Sequence, residues 1–344
     1  MFEAKVRDLF SDGFPLLQED KVKNHRILIA VATLGRPQML EQLLASLVIV
    51  KTPERANMEI LVVENSAEIT VFPQVNRALG LNPDVAINVI NEPTRGVASA
   101  RNAALDYAFQ NAFDWLAFID DDETASPDWL VKLFASALDR GLDVCGGYVY
   151  PVAPQGELSY LQRRLLKGLI ENAGATHERL KEKVNAGKDA RSYICTSNWM
   201  CNLASARKAS VRFREEMNFS GGEDMRFSED MLAFGMRLGR VPDAITYETV
   251  PGTRLTLTYI FSRERDNEKT NVYRRFTVHG RRIYLRAIVF ALGKFIRSAS
   301  LIFVSPIYGF SAVCDSVGAF GSGIGRLEGA LGIKSSHYKK IHGY

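Results

Sequence analysis

The chain has 344 residues, 47% hydrophobic and 24% charged, which suits one large domain or two modest ones and excludes a disordered or fibrous protein. Its four cysteines (Cys145, Cys195, Cys201, Cys314) lack CxxC or Cys–His metal spacing, and residues 1–24 hold no apolar run of signal-peptide length, so reduced thiols in a cytoplasmic protein are expected. The net charge of +4 hides a division: residues 269–344 carry twelve Lys/Arg against two acids, a local +10, and the remainder is −6. Those basic residues alternate with Ile, Leu, Phe and Val, a pattern that favours an anionic membrane surface over nucleic acid.

Arg26–Ala32 is a continuous apolar run, as in a strand buried on both faces. Pro37 opens a helix in which Met39, Leu40, Leu43, Leu44 and Leu47 recur at helical spacing. Strands are predicted at Glu59–Val63, Val85–Ile90, Trp115–Ile119 and Asp143–Tyr150, with helices at Val97–Gln110 and Pro127–Leu138. This alternation predicts an α/β fold with a mostly parallel central sheet and helices on both faces. Ligand sites in such sheets lie beyond the carboxyl ends of the strands, here 33–36, 64–66, 91–96 and 120–123. Farther on, Leu158–Leu180 is predicted as one helix, the polar stretch to Ser192 as mobile, and Glu223–Leu238 as another helix. No internal repeat, Rossmann glycine fingerprint or P-loop is present.

Leu116-Ala-Phe-Ile-Asp-Asp-Asp-Glu123 drives four carboxylates out of the end of a buried strand. Crowded like charges need a cation or donors, and carboxylates suit Mg²⁺ or Mn²⁺. A solvated acidic turn ahead of the helix at Pro127 is the alternative. Gly221-Gly-Glu-Asp224 sets two more carboxylates at a helix start, where capping alone would also explain them. The five histidines form no HxxxH or HExxH pair, and no GxSxG elbow occurs.

The run FIDDDETASPDWL resembles the D-x-D region of the family 2 glycosyltransferases, which have the GT-A fold. Val31-Ala-Thr-Leu-Gly-Arg-Pro37 is similar to that family's first nucleoside loop, and Val62-Val-Glu-Asn-Ser66 to its V-V-D-D-x-S. Asn91–Gly96 with Ala100-Arg-Asn102 is similar to its N-x-G-x-x-x-A-R-N, and Gly221–Asp224 to its G-G-E-D. The resemblance implies metal binding by Asp122 and nucleotide-sugar contacts from Thr33, Arg36, Glu64, Asn65, Arg95, Arg101, Asp120 and Asp121. It makes Asp224 the catalytic base and Glu223 its neighbour on the acceptor side. Glu64 stands where the family has aspartate, and Glu123 is a further acid of the cluster. Glu248–Arg254 and the following segment to Asn267 resemble the closing part of the succinoglycan glucosyltransferase subgroup, with Arg254, Arg263 and Arg265 available to a departing diphosphate. The Q-x-x-R-W motif of processive synthases is absent, in keeping with single additions. The implied activity is inverting transfer from a nucleotide-sugar, most often UDP-linked, to a glycan or lipid-linked glycan acceptor, with Mn²⁺ or Mg²⁺. A non-catalytic binding protein, a two-carboxylate glycosidase and a nucleotidyltransferase are the rival readings.

The expected division is an N-terminal extension (1–25), a nucleotide-sugar half (26–150), an acceptor and base half (151–268) and a basic amphipathic tail (269–344). Within the tail, Tyr273–Ser298 mixes seven basic residues with aromatic and aliphatic ones, as in helices lying at an anionic membrane interface. Ser298–Cys314 is uncharged for 17 residues but interrupted by Pro306, four serines and Gly309, short of the roughly 20 needed to span. Packing on the body or a homo-oligomer contact is the alternative. The glycine-rich Phe320–Gly332 is assigned no element.

Overall fold

A computed structural model describes residues 24–189, 194, 196–219, 221–279 and 283–333. The elements run β1 (His25–Thr33), α1 (Pro37–Leu47), β2 (Ala56–Glu64), α2 (Phe72–Leu81), β3 (Ala86–Asn91), α3 (Val97–Gln110), β4 (Trp115–Ile119), β5 (Glu123–Ala125), α4 (Trp129–Arg140) and β6 (Val144–Val152). They continue as α5 (Tyr160–Asn185), β7 (Asn198–Asn202), α6 (Leu203–Ala209), α7 (Glu223–Ala233), β8 (Leu238–Thr249), α8 (Leu257–His279), α9 (Tyr284–Tyr308) and α10 (Phe310–Ala330). One eight-stranded sheet has the order β3-β2-β1-β4-β7-β6-β8-β5. In β1, Ile27, Ile29 and Val31 enter a core with α1, α2 and α4, while Leu28 and Ala30 enter a second core with α3, α6 and α7. The apolar run of β1 is thus continuous because both faces are buried.

The expected mostly parallel sheet is borne out, with antiparallel pairing at two places. β7 runs antiparallel to both β4 and β6, and β5 runs antiparallel to β8. β8 itself replaces the end of the helix predicted over 223–238: α7 stops at Ala233, Gly235 turns left-handed at φ 77°, and the strand begins at Leu238. Pro242 and a bulge hide this strand from a period-two pattern. Its pairing with β6 jumps from Gly146↔Arg240 to Tyr148↔Ile245, leaving residues 241–244 opposite Gly147. A Cβ at Gly147 would lie 2.1 Å from the Ala244 carbonyl oxygen, so the bulge needs glycine there. Asn198 closes the junction, its amide donating to Tyr148 O, Ala244 O and Thr246 Oγ1 and its Oδ1 accepting from Trp129 Nε1.

The polar stretch expected to be mobile is also corrected over most of its length. α5 starts at a Ser159/Gln162 capping box and runs to Asn185. Beyond it, Asp189 is buried and accepts from Arg140 Nη2 at 2.6 Å and the Arg240 amide at 2.8 Å. Residues 190–193 lie outside the described residues.

α8 is continuous across residue 268, where the sequence places a boundary. The glycine-rich segment forms α10, and its glycines face α8. Added Cβ atoms at Gly321, Gly325 and Gly329 would lie 2.5, 2.0 and 2.6 Å from the carbonyl oxygens of Phe261, Arg265 and Lys269. Small residues at this spacing let two helix backbones approach closely. α9 completes the layer through buried Ser298 and Ser316, each hydroxyl donating to the other's carbonyl at 2.9 and 2.8 Å. The uncharged run thus belongs to a longer helix that begins at Tyr284 and continues through Pro306. Pro306 offers no N–H to the Ile302 carbonyl, and Ser305 Oγ donates to it instead at 2.8 Å.

Two alanine substitutions should act in opposite directions. Gly293 has open space around its Cβ position, so Gly293→Ala should stabilise by up to about 1 kcal/mol through helix propensity. Gly325→Ala should instead destabilise, by roughly 1–3 kcal/mol, by forcing α8 and α10 apart. Urea unfolding of both variants followed by circular dichroism checks the sign.

Candidate active site

Three strands end side by side, with Thr33, Glu64 and Asn91 in register at their carboxyl ends. The next loop, from β4, carries Asp120–Asp122, and Glu123 starts β5. Each carboxylate finds a guanidinium or hydroxyl. Asp121 accepts from Thr33 Oγ1 and Arg36 Nη1, both at 2.8 Å. Asp122 Oδ2 lies between two arginines, 3.6 Å from Arg36 Nη1 and 3.3 Å from Arg254 Nη2. Arg254 Nη1 in turn pairs with Glu248 at 2.8 Å. Asp120 is met by Arg101 Nη2 at 3.2 Å, and the other Nη of Arg101 pairs closely with Glu223.

Arg101 therefore links the acidic loop to the opening of α7. Its side chain is 7% exposed and that of Glu223 is 3%, while that of Asp120 is 42% exposed. Removing one partner of so buried a pair typically costs 3–5 kcal/mol, because the other is left charged and unpaired. Burial, and then the charge of Asp224, push the Glu223 carboxyl up to about 7 against the opposing pull of Arg101. Burial likewise raises Asp121 to about 6, with Arg36 opposing. Glu123 is held well above the usual carboxylate range by burial and by Asp120. Asp224 is half-buried, one residue into α7, with Oδ1 on the Met225 amide at 2.7 Å. Glu123 Oε2 and Glu223 Oε2 are buried without a partner among the described residues. The cluster thus retains acceptor capacity that a cation or a hydroxyl could use.

Thr33, Arg36, Asp121 and Asp122 form one bonded set and Arg101, Asp120 and Glu223 another, the two meeting in the 120–122 loop with Asp224 beside them. Glu64, Asn65 and Arg95 stand apart from both sets. Glu64 accepts from Thr70 Oγ1 at 2.6 Å and the Val71 amide at 3.1 Å, so its carboxylate ties down the loop before α2. Asn65 donates to Glu92 O and Thr94 O and accepts from the Gly96 amide, bracketing the loop before α3. The side chain of Arg95 is exposed. Sequence reasoning missed Glu248, which lies at the end of the unpredicted β8, and Asn218, for which no sequence signal existed. Asn218 binds the Ser99 amide and hydroxyl at 2.9 Å and packs where a Gly96 Cβ would sit, at 2.1 Å from its Cγ. Gly96, at φ +147°, thereby lets the loop before α7 lie against the start of α3.

Residues 28–207, just over half the chain, match the family model described as Glycosyl transferase family 2. The chain belongs to glycosyltransferase family 2. Over 259 residues it is 30% identical to the succinoglycan biosynthesis protein ExoM of Rhizobium meliloti (strain 1021), covering 74% of each chain. Among solved structures it is similar to the mannosyltransferase PcManGT from Pyrobaculum calidifontis, in complex with GDP-Man and Mn²⁺, at a TM-score of 0.56 and 15% identity, covering 90% of this chain and 86% of that one. That likeness shows the shared GT-A fold. The family match contains every site residue from Thr33 to Asp122, while Glu223, Asp224, Glu248 and Arg254 lie beyond it.

The charge network has a testable pH signature. Glutamate titrates near 4.5 when unperturbed, and Glu223 in the folded chain near 7. Between those values the folded state holds a proton the unfolded state has lost, so stability should fall as pH rises through that window. The expected slope is on the order of 1 kcal/mol per pH unit at most. Glu223→Gln should reduce it, leaving the share from Asp121 below about pH 6, in chelator-treated protein, as measured by urea melts from pH 5 to 7.

Proposed function

We propose that this glycosyltransferase moves a sugar, with inversion, from a UDP-linked donor to a glycan or lipid-linked glycan in bacterial-type polysaccharide synthesis. The observation that carries the reading is Asp122. Its carboxylate is held between Arg36 and Arg254 at the carboxyl end of the sheet, and the pair Glu223–Asp224 is tied to the same cluster through Arg101. The name of the Rhizobium relative, succinoglycan biosynthesis protein, supports a polysaccharide product.

The donor set fits a divalent cation. Mg²⁺ and Mn²⁺ need only one or two protein carboxylates when substrate phosphates complete the shell, and Asp122 offers an acceptor-only group in a cleft of matching charge. Bound there, the ion would offset charge on the diphosphate as it leaves. Arg36 and Arg254 are placed to turn from Asp122 to diphosphate oxygens. Thr33 and Arg36 hold Asp121 for the donor side, while Asn65 and Glu64 shape the nucleoside loops. Glu223 is poorly suited to be the base, because one oxygen is locked on Arg101 and its carboxyl holds a proton near neutrality. Asp224 is the more open of the two. It takes the acceptor hydroxyl proton as that oxygen bonds to the anomeric carbon and the carbon–oxygen bond to the diphosphate breaks.

The tail supports work at the cytoplasmic face of a membrane. α9 is the helix among the described residues that is long and apolar enough to cross one, with mean hydropathy 1.8 over its best window. Yet Ala287, Ala291 and Ser298 of α9 are buried, and its hydroxyl pairing with α10 lies at mid-helix. A crossing would draw α10 and its Asp315, Arg326 and Glu328 into the bilayer as well. An interfacial position leaves that layer intact and places the outer face of α9 in lipid.

Asp122→Ala should abolish the stabilisation that UDP gives in Mn²⁺ while leaving the melting temperature in chelator close to that of the wild type. Asp224→Asn should keep that stabilisation yet lower sugar transfer at least about a hundredfold. Thermal shifts with and without Mn²⁺, alongside transfer assays, separate the two roles. Near-normal transfer by Asp224→Asn would place the base elsewhere.

A further inference from the structure

Away from the acidic cluster, the described residues form a recess lined by more basic than acidic side chains. A cleft of about 280 Å³ opens between α5, the start of α8, α9 and α10. Arg164, Lys294 and Arg297 line it, together with the acids Glu264 and Asp315. Glu264 accepts from Ser322 Oγ at 3.3 Å. Among the described residues none of the three cations has an acidic partner within 4 Å. Arg164 instead stacks over the Tyr160 ring and donates to its hydroxyl at 3.3 Å. Its other terminal nitrogen reaches the turn between α9 and α10, 3.9 Å from where a Gly309 Cβ would stand. α10 begins at that turn with no side-chain cap and no acid in its first turn, and Ser311 of that turn lines the cleft. The positive end of a 21-residue helix and a guanidinium therefore face the same opening, an arrangement that favours an anion.

The cleft adjoins a run of exposed apolar residues on α9. Leu285, Val289, Leu292, Ile296, Phe303 and Ile307 follow one another at spacings of three, four or seven along α9, and each is more than half exposed, with Phe303 at 87%. Arg297 follows Ile296 directly on the flank that turns toward α5. The floor of the cleft is apolar. Leu165, Leu169, Ile260 and Cys314 belong to the small core that also contains Leu255, the residue after Arg254. One packed layer thus separates this basic recess from the arginine that holds Asp122.

We propose that the cleft binds the phosphate head group of an anionic bilayer lipid while the outer stripe of α9 enters the acyl region beside it. This rests on the membrane-surface reading above and deepens it, since it replaces a diffuse basic tail with a defined site. The ligand chemistry follows from the lining: a phosphate monoester or diester accepts from guanidinium, ammonium, hydroxyl and helix-terminal N–H groups, and its apolar chains continue onto α9. Unpaired cations beside a continuous apolar stripe match a lipid, which carries both features in one molecule. A soluble anion would leave the stripe without a role.

The test is vesicle co-sedimentation of the full chain with phosphatidylcholine vesicles and with phosphatidylcholine–phosphatidylglycerol vesicles. Lys294→Gln/Arg297→Gln should lower partition onto the phosphatidylglycerol vesicles at least about tenfold, since two of the three cations lining the cleft are lost together. Arg275→Gln/Arg286→Gln removes the same charge from exposed tail positions outside the cleft and should lower it by no more than about threefold. Equal losses in the two pairs, or no loss in the first, would overturn the site. At matched ionic strength, inorganic phosphate should release the wild type more than chloride does, and equal release by both would likewise overturn it. Ile296→Ser/Phe303→Ser reports on the underlying reading: it should lose binding to both vesicle types. Its unchanged binding would sink membrane attachment itself, whatever the cleft variants do. Unfolding midpoints within a few degrees of the wild type show that each variant is folded.

Discussion

Four acidic side chains at the end of one buried strand stay together only if cations come to them, and three arginines do so. Arg36 arrives from the loop after β1, Arg101 from inside α3, and Arg254 from the segment between β8 and α8. Each comes from a different stretch of sequence, so compensating the acids also fixes how those stretches lie together. The requirement is strong because the groups are largely withdrawn from water, where an unpaired charge costs several kcal/mol. Arg101 carries the most, since it answers Asp120 on one side and Glu223 on the other and so ties the loop after β4 to the helix that bears Asp224.

The sheet makes this convergence possible. β1, β2, β3 and β4 are parallel and deliver their loops to one edge. β7 then enters antiparallel between β4 and β6, which extends the sheet and brings α7 beside α3. Two glycines allow the close approaches involved. Gly147 admits the bulge of β8 against Asn198, and Gly96 admits Asn218 against the start of α3. Buried asparagines with complete hydrogen bonding act as specific joints, because any other arrangement would leave their amides unpaired.

The C-terminal layer follows a different rule. Its helices meet through glycines, a reciprocal pair of serines and the rings of Phe261, Phe295 and Phe320. This leaves other bulky apolar residues of α9 on the outside. Ion pairs of Lys269 with Glu328 and of Arg326 with Glu268 lock the polar side of the same layer.

Residues with one local job were legible in order. The apolar run of β1, the proline at the start of α1, the alanine-rich α3 and the carboxylates after β4 each carry a short-range signal, and the ordered loops carried the family resemblance. Elements without such a signal were not legible. A regular alternation was never available to β8, where Pro242 and a four-residue bulge break the period; α10 was hidden because its glycines weaken helix propensity while enabling contact with α8. The site divides in the same way. Asp120 to Asp122 and the pair Glu223–Asp224 could be read from the sequence, because local crowding of like charge is itself unusual. That Glu64 would spend its carboxylate on Thr70 and Val71, that Arg254 would reach Asp122 across 132 positions of sequence, and that Lys294 and Arg297 would share a cleft with Arg164 were decided only by the tertiary structure. The physical reason is that a charge's partner is set by distance in space, which the chain establishes only once its strands and helices have packed.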